Sequence, residues 1–141
     1  MRDLLPADWT LPLLEPHNEA FFTSGRMLIQ SCADCSTVQH PPEVLCHACL
    51  GTRFTDREVR AEGTVHSYIV VHHPAHPSLA DSVPYAVVLV SLDELPDVRI
   101  TGNMPDTPIG EVEIGLRVVA TWNEFVGPDG TTYRLPRWEI A

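Results

Sequence analysis

Hydrophobic and polar positions divide the 141-residue chain into a first part without a clear period and a later part with strand-like runs. Residues 1–14 carry leucines and Trp9 among prolines with no regular spacing, so we expect them to lie as an arm along a surface. Pro16 suits the first position of a helix, and Gly25 suits the position just after its end. The sequence therefore predicts an arm and a short helix over residues 1–25.

From residue 53 onward the apolar positions are typical of β structure. A bridging strand is predicted at 54–60, and five further strands are predicted at 63–72, 84–92, 98–104, 116–126 and 131–140. The stretch 84–92 is almost continuously apolar, which indicates a strand that is central or buried on both faces. Pro136 marks the last strand as an edge or terminating segment. We therefore predict a mainly β protein with a short N-terminal helix and a five-stranded OB-fold barrel over residues 53–141.

The four cysteines of the chain all lie in one segment between the helix and the barrel, as two Cys-x-x-Cys pairs. Two such turns that face each other bring four thiolates into a tetrahedron, which is the geometry that zinc accepts. The predicted ligands of a structural Zn²⁺ are Cys32, Cys35, Cys46 and Cys49. Because four ligands leave no open position for a substrate, this zinc ribbon, predicted over residues 26–52, would be structural.

Two other interpretations of the cysteines stay open. Two disulfides would need an oxidising compartment, and residues 1–15 lack the continuous apolar segment of a secretory signal. Iron in the same tetrathiolate, as in rubredoxins, would have the same ligands. We favour zinc, since nothing beside the cysteines indicates redox tuning. We expect a cytoplasmic protein, because no apolar run approaches the length of a membrane helix.

The charge balance bears on possible partners. The formal net charge is −10, and all nine basic residues are arginines. Zinc ribbons and OB-folds often bind nucleic acids, so a nucleic-acid-binding module is the alternative function. Binding to a polyanion needs a basic groove, which this composition does not readily supply. We therefore expect no nucleic-acid partner.

A set of ordered motifs extends from about residue 15 to the end of the chain. The motifs are Gly25-Arg26-Met27-Leu28, Cys32-x-x-Cys35, His40-Pro41-Pro42, Cys46-x-x-Cys49, Gly63-Thr64-Val65-His66-Ser67-Tyr68, Pro84-Tyr85, Thr101-Gly102-Asn103 and Leu135-Pro136-Arg137-Trp138. Together they resemble a family of acyl-CoA-associated proteins that join a short N-terminal helix, a rubredoxin-like zinc ribbon and a C-terminal OB-fold. Family members often have glycine where this chain has Ser36 and proline where it has His47, and neither position is a metal ligand.

The resemblance implies an accessory role without catalytic residues of the chain's own. Members of the family sit beside thiolase-superfamily enzymes, including lipid-transfer-protein-like aldolases of steroid side-chain breakdown. We therefore expect a hetero-oligomer in which the partner carries lyase or acyltransferase activity, in steroid or fatty-acyl-CoA degradation. The resemblance also implies that a CoA ester is held jointly with the partner, and that an enoyl-CoA hydratase subunit is a further candidate partner.

The residues predicted to contact a partner lie in the least core-like segments. They are Trp9, Phe21, Phe22, His72 and His73. Large apolar side chains favour interfaces, and a long loop such as 72–83 often carries function. A hydrolase that uses the histidines and Asp81 of this loop is a third interpretation, which the absence of a visible nucleophile–base pair disfavours.

Four arginines on the predicted barrel strands could bind the phosphates of CoA, since guanidinium groups bind phosphate through two parallel hydrogen bonds. They are Arg99, Arg117, Arg134 and Arg137. Ordinary pairing with the many carboxylates is the alternative, and for each single arginine we prefer it.

Overall fold

The computed structural model describes residues 5, 6 and 8–141, and in that part of the chain it contains one α-helix and eight strands. The helix α1 spans Glu19–Thr23, and Gly25 follows it with φ of +67°. The strands are β1 (Leu28–Cys32), β2 (Val38–Gln39), β3 (Phe54–Glu58), β4 (Glu62–Val71), β5 (Tyr85–Leu92), β6 (Arg99–Asn103), β7 (Arg117–Val126) and β8 (Thr132–Ile140). The predicted arm is described except for its residues 1–4 and 7, which lie outside the described residues.

The first sheet is a three-stranded antiparallel ribbon in the order β2-β1-β3. β3 pairs with β1 along its whole length, from Leu28 opposite Glu58 to Cys32 opposite Phe54. Residues 54–58 therefore belong to the ribbon sheet and not to the barrel sheet. The division into residues 1–25, 26–52 and 53–141 stays a prediction, and this pairing argues for a ribbon that ends a few residues later.

The second sheet has five antiparallel strands in the order β6-β5-β4-β7-β8. Its two end strands, β6 and β8, lie against each other and so curl the sheet into a barrel. The last strand, which contains Pro136, is an end strand of this sheet, as the sequence predicts. The predicted mainly β fold with a short helix, a zinc ribbon and a five-stranded barrel is thus confirmed.

The apolar strand β5 has two different faces. Its burial alternates strictly, with Ala86, Val88 and Val90 buried in the core and the residues between them half-buried. The continuous apolar sequence suggests a strand that is buried on both faces. In the structure, however, only one face of β5 is fully buried. Its second face is apolar because it lines a cavity outside the barrel.

One hydrophobic core joins the helix, the ribbon and the barrel. Phe21 of α1 and Ile29 of β1 belong to the same buried cluster as Val65 and Trp138 of the barrel. A helix of five residues is too short to be stable alone, so it depends on this packing. In the described residues, no helix is long and apolar enough to cross a membrane.

Candidate metal centre and apolar cavity

The sulfur atoms of the four cysteines converge on one point. All four Sγ atoms lie within 4.8 Å of one another. The distance is 3.6 Å from Cys32 to Cys49 and also from Cys35 to Cys46. A disulfide bond is about 2.05 Å long, whereas the edge of a tetrahedron with Zn–S bonds of about 2.3 Å is about 3.8 Å. The four free thiols therefore fit the predicted tetrathiolate site and do not form disulfides.

Each Cys-x-x-Cys turn, here called a knuckle, has the same backbone geometry. The amide of Ser36 donates to Cys32 O at 3.0 Å, and that of Leu50 donates to Cys46 O at 2.9 Å. Both donor residues have positive φ, 64° for Ser36 and 63° for Leu50. Glycine adopts this conformation without the penalty that a side chain brings. The glycine that the resembling family often has at the position of Ser36 is explained by this geometry.

Backbone amides point at the sulfur atoms of the second knuckle. The amide of Ala48 donates to Cys46 Sγ and that of Gly51 to Cys49 Sγ, both at 3.4 Å. A Cβ at residue 51 would lie 2.7 Å from Asp34 Oδ2 and 3.2 Å from Cys49 Sγ, so a side chain there would displace the Asp34 carboxylate and crowd the sulfur. Such amide contacts stabilise negative charge on sulfur, as a thiolate ligand requires.

The acidities of the thiols show why the cluster suits a cation. The pKa of Cys35 falls to about 6, because the hydroxyl and the backbone of Thr37 stabilise its thiolate. The Gly51 amide lowers the pKa of Cys49, but hydrogen bonds with the other cysteines and desolvation outweigh it and raise that pKa to about 12. At neutral pH the Cys49 thiol therefore keeps its proton unless a nearby positive charge stabilises the thiolate. A divalent cation supplies that charge.

Two buried glutamines hold the loop that leads into the second knuckle. Gln30 of β1 and Gln39 of β2 are paired across the sheet, and Gln39 Nε2 donates to Gln30 Oε1 at 2.7 Å. Gln30 also accepts from the Glu43 amide and donates to the Glu43 carbonyl. Gln39 bonds the Leu45 carbonyl and the His47 amide. Residues 43–47 are therefore fixed at three points of their backbone.

A cavity of about 720 Å³ lies outside the barrel, between the arm, the helix, the ribbon and β5. Its lining is mostly apolar and includes Trp9 of the arm, Phe21 and Phe22 of α1, and Val87 and Leu89 of β5. Sequence reasoning missed this cavity, and the signal that could have revealed it is the second apolar face of β5.

The residues predicted to contact a partner fall into two groups. Trp9, Phe21 and Phe22 come together at the cavity, where Phe21 is only 7% exposed. Trp9 also makes an edge-to-face contact with His76, with ring centroids 5.4 Å apart. His72 and His73 are exposed on the loop and do not line the cavity. Partner contact through these five residues stays a prediction.

One histidine in the cavity wall is held neutral. His40 is followed by the prolines of the ribbon, and its ring centroid lies 4.8 Å from that of Phe21. Burial lowers the pKa of His40 to about 4. At neutral pH this side chain therefore adds no charge to the apolar wall.

The four barrel arginines are not equivalent. Arg117 makes two hydrogen bonds of 2.6 Å to Asp93, which lower the pKa of that carboxyl. Arg134 pairs with Glu124, and the fully buried Arg137 pairs with Asp106. Carboxylate pairing, the alternative preferred from the sequence, thus accounts for three of them. Arg99 is exposed at the edge of the cavity.

The loop between β4 and β5 contains a serine–histidine pair that the sequence analysis did not identify. Ser78 Oγ lies 2.7 Å from His76 Nδ1, and the Ser78 amide donates to the same nitrogen at 3.2 Å. His76 is the N-cap of the 3₁₀ turn Pro77–Leu79, so this contact is a local cap. No carboxylate contacts His76 in the described chain, and a catalytic pair needs such a third group to orient the base.

Two family models match consecutive parts of the chain. One is described as the rubredoxin-like zinc ribbon domain of ChsH2 and matches residues 22–55, and the other is described as the C-terminal OB-fold domain of ChsH2 and matches residues 56–123. The chain belongs to the ChsH2 family. The resemblance stated from the motifs is thus confirmed, and the ChsH2 ribbon model together with the four-cysteine cluster supports a structural zinc.

Two relatives of this ChsH2-family chain differ in length. A solved structure described as Ltp2-ChsH2(DUF35) aldolase is 37% identical, with a TM-score of 0.71, and the match covers 91% of this chain and 97% of that chain. A Thermomonospora curvata protein named probable enoyl-CoA hydratase alpha subunit is 37% identical over 116 residues, which are 80% of this chain and 35% of that protein. The chain thus spans about a third of the length of this curated relative.

Proposed function

We propose that the chain is a non-catalytic accessory subunit that binds and supports a thiolase-superfamily enzyme in a hetero-oligomer. The partner would carry the carbon–carbon bond chemistry, a retro-aldol or Claisen-type step on an acyl-CoA. The observation that carries this proposal is the likeness to a chain of the Ltp2-ChsH2(DUF35) aldolase over nearly the full length of both. A lipid-transfer-protein-like enzyme of steroid side-chain or fatty-acyl-CoA degradation is the partner that this likeness favours.

The chemistry of the chain's own residues supports a role without turnover. All four cysteines are in the metal cluster, where thiolates bound to zinc are occupied as ligands. When bound, zinc would cross-link the two knuckles, and the four thiolate ligands would leave it no open coordination position. Ser78 and His76 are engaged in a cap with no orienting carboxylate among the described residues. These features favour a scaffold over an independent hydrolase.

The nucleic-acid alternative is disfavoured by charge. The net charge is −10, and most arginines of the described chain are neutralised by carboxylates. The paired arginines are Arg26, Arg53, Arg60, Arg117, Arg134 and Arg137. A groove that follows a phosphate backbone needs a continuous positive surface, and these pairs remove most of its charge.

The cavity supports a part for this chain in holding the CoA ester. We propose that the acyl portion lies in the cavity while the partner binds the rest of the molecule. A volume of about 720 Å³ is within the range of ligand pockets, roughly 300–1,000 Å³, and the lining is mostly apolar. Arg99 at the edge can bind an anionic group of the ester, such as a phosphate.

The longer relative supports a further partner. Because the T. curvata protein named as an enoyl-CoA hydratase subunit contains a match to this chain in about a third of its length, a hydratase subunit is a second candidate for the same assembly. Such an arrangement would bring two acyl-CoA steps together. The cytoplasmic location stays a prediction from the sequence.

The decisive experiment compares the candidate enzyme alone and with this chain. A lipid-transfer-protein-like enzyme of the thiolase superfamily, encoded beside this chain's gene, is expressed with and without it, and acyl-CoA cleavage and co-elution are measured. We expect a stable complex, higher activity or solubility of the enzyme in that complex, and no turnover by this chain alone. An enzyme that is fully active and monodisperse alone, and that does not co-elute with this chain, would overturn the proposal.

A further inference from the structure

Three apolar side chains that flank the second knuckle are exposed to solvent. Val44, Leu45 and Leu50, here called the knuckle patch, are 62%, 48% and 69% exposed. Beside Val44 lies a shallow depression lined by Pro16 and Phe54. Single exposed apolar residues are ordinary on a protein surface, but these three flank one tight turn, in which the Leu50 amide donates to the Cys46 carbonyl.

The two knuckles differ in what they display, although their backbones match. The residue after the last cysteine has positive φ in both, but it is the polar Ser36 in the first knuckle and Leu50 in the second. Leucine is disfavoured in this conformation, and at 69% exposure Leu50 gains little from burial within the chain. Its presence therefore does not follow from the stability of the ribbon.

The knuckle patch is also held rigid from below. The buried amides of Gln30 and Gln39 bond the backbone at Glu43, Leu45 and His47, which leaves the side chains of Val44 and Leu45 pointing outward. A buried polar group without a hydrogen-bond partner lowers stability, whereas a fully hydrogen-bonded network makes the local structure rigid. The two glutamines therefore hold this loop in one conformation. A loop whose backbone is already fixed loses little backbone entropy when it binds a partner.

The charges around the knuckle patch indicate the chemistry of its partner. Glu43 lies next to Val44, and Glu15 borders the depression beside it, and both are exposed. His17 also lines the depression, with its Nε2 atom 3.5 Å from a carboxylate oxygen of Glu15. Arg53, the nearest arginine in sequence to Leu50, is paired with Asp34. The rim is therefore acidic, like the chain as a whole. A second copy of this chain or an anionic membrane would repel it, whereas a basic rim would attract it.

We propose that the knuckle patch docks into an apolar groove of the thiolase-superfamily enzyme, and that lysine or arginine side chains border this groove. The inference rests on the proposed function and adds a contact surface to it. Leu50 and Leu45 enter the groove as anchors, and Glu43 and Glu15 pair with the basic border. Zinc would then affect the affinity for the enzyme indirectly, because it would fix the knuckle beside the anchor residues.

The test compares the affinities of the purified wild-type chain and of its surface variants for the same enzyme. Leu50→Asn suits the positive φ better than leucine does, and the pair Val44→Ser and Leu45→Ser removes the other two apolar groups. We expect each variant to keep its zinc and its melting temperature and to raise the dissociation constant at least about tenfold, as loss of an interface anchor does. Glu43→Gln should slow association several-fold at low salt and have little effect at high salt.

Two matched controls make the result specific. Ser36→Gly changes the equivalent residue of the first knuckle, and Ile114→Ser removes an equally exposed apolar side chain from a barrel loop. Both should leave the dissociation constant unchanged.

The outcomes separate this inference from the proposed function. If the wild-type chain binds the enzyme and all knuckle-patch variants bind equally well, the docking surface is wrong and the accessory role stands. If the wild-type chain does not bind, both fall. If sedimentation shows a self-associated wild-type chain that Leu50→Asn converts to a monomer, the knuckle patch serves a second copy and the inference is overturned.

Discussion

The α-carbon of Gly102 in β6 lies directly against the indole ring of Trp138 in β8. A Cβ at residue 102 would be 2.7 Å from Cδ1 and 2.8 Å from Nε1 of that ring, which is fully buried. β6 and β8 are the two end strands of the five-stranded sheet. The missing side chain of Gly102 therefore gives the tryptophan room at the junction that closes the barrel.

Replacing Gly102 by alanine should destabilise the fold. The new methyl group would overlap a buried ring that has no solvent to move into, and overpacking of this kind costs about 1–3 kcal/mol. The change in the free energy of unfolding is measured by urea denaturation with tryptophan fluorescence as the probe. Gly110→Ala is the matched control, since a Cβ there meets nothing within 4 Å. Equal stability of the two variants would contradict the close packing.

Replacing Cys46 by serine should remove the zinc and unfold the ribbon. Cys46 is fully buried, and its Sγ lies 3.6 Å from that of Cys35, so its loss breaks the tetrahedral ligand set. We expect about one zinc per wild-type chain by elemental analysis, much less in the variant, and a loss of solubility. Thr37→Val, which removes only the hydroxyl beside Cys35, should keep the zinc. A variant that loses its metal and folds normally would contradict a structural role.

Stability should fall as the pH is lowered from about 6.5 to about 4, in part because of His40. The pKa of His40 is about 4 in the folded chain and 6.5 when exposed, and burial is the cause. Below pH 6.5 the unfolded chain therefore binds a proton that the folded chain does not. This one group lowers the free energy of unfolding by up to about 1.4 kcal/mol per pH unit, until the folded state is protonated near pH 4.

The measurement is urea unfolding between pH 4.5 and 7.5 for the wild-type chain and for His40→Leu. The variant should show a shallower pH dependence in this window. His66→Ala, which changes an exposed histidine of β4, should follow the wild-type curve. Parallel curves for the wild-type chain and His40→Leu would show that His40 is not the cause.

Filling the cavity should weaken the binding of acyl-CoA substrates to the complex. Val87 lies on the outer face of β5 and lines the cavity, so Val87→Trp would occupy space proposed for the acyl chain. We expect the KM of the assembled enzyme to rise for long acyl groups and to change less for short ones. Ile69→Trp, at an exposed position of β4, is the control. A KM that is equally unchanged for all chain lengths would remove the acyl chain from this cavity.

The strands and the convergence of the four cysteines could be predicted from local sequence. Apolar periodicity marks both ends of β4 to β8 within one residue, and the spacing of Cys32, Cys35, Cys46 and Cys49 is that of two knuckles. These features depend on residues that are close in sequence, and therefore each short stretch carries its own information.

The missed features depend on contacts between distant segments. The pairing of β3 with β1 joins residues about 25 apart, and nothing in residues 54–58 distinguishes a ribbon strand from a barrel strand. The cavity needs the arm, α1 and β5 to meet, and the alternating burial of β5 is hidden because both of its faces are apolar. The observed helix is shorter than the predicted one, since only Glu19–Thr23 is helical and residues 16–18 form a turn.

Because both faces of β5 are apolar, the barrel is not easily separated from the helix and the ribbon. A barrel separated from residues 1–58 would leave Tyr85, Val87 and Leu89 without the helix and ribbon that border them. An uncovered face of this kind favours self-association. The ribbon and the barrel, although they match separate family models, are therefore not freely exchangeable modules. During synthesis the N-terminal parts emerge first, so the cover for β5 is already outside the ribosome when that strand appears.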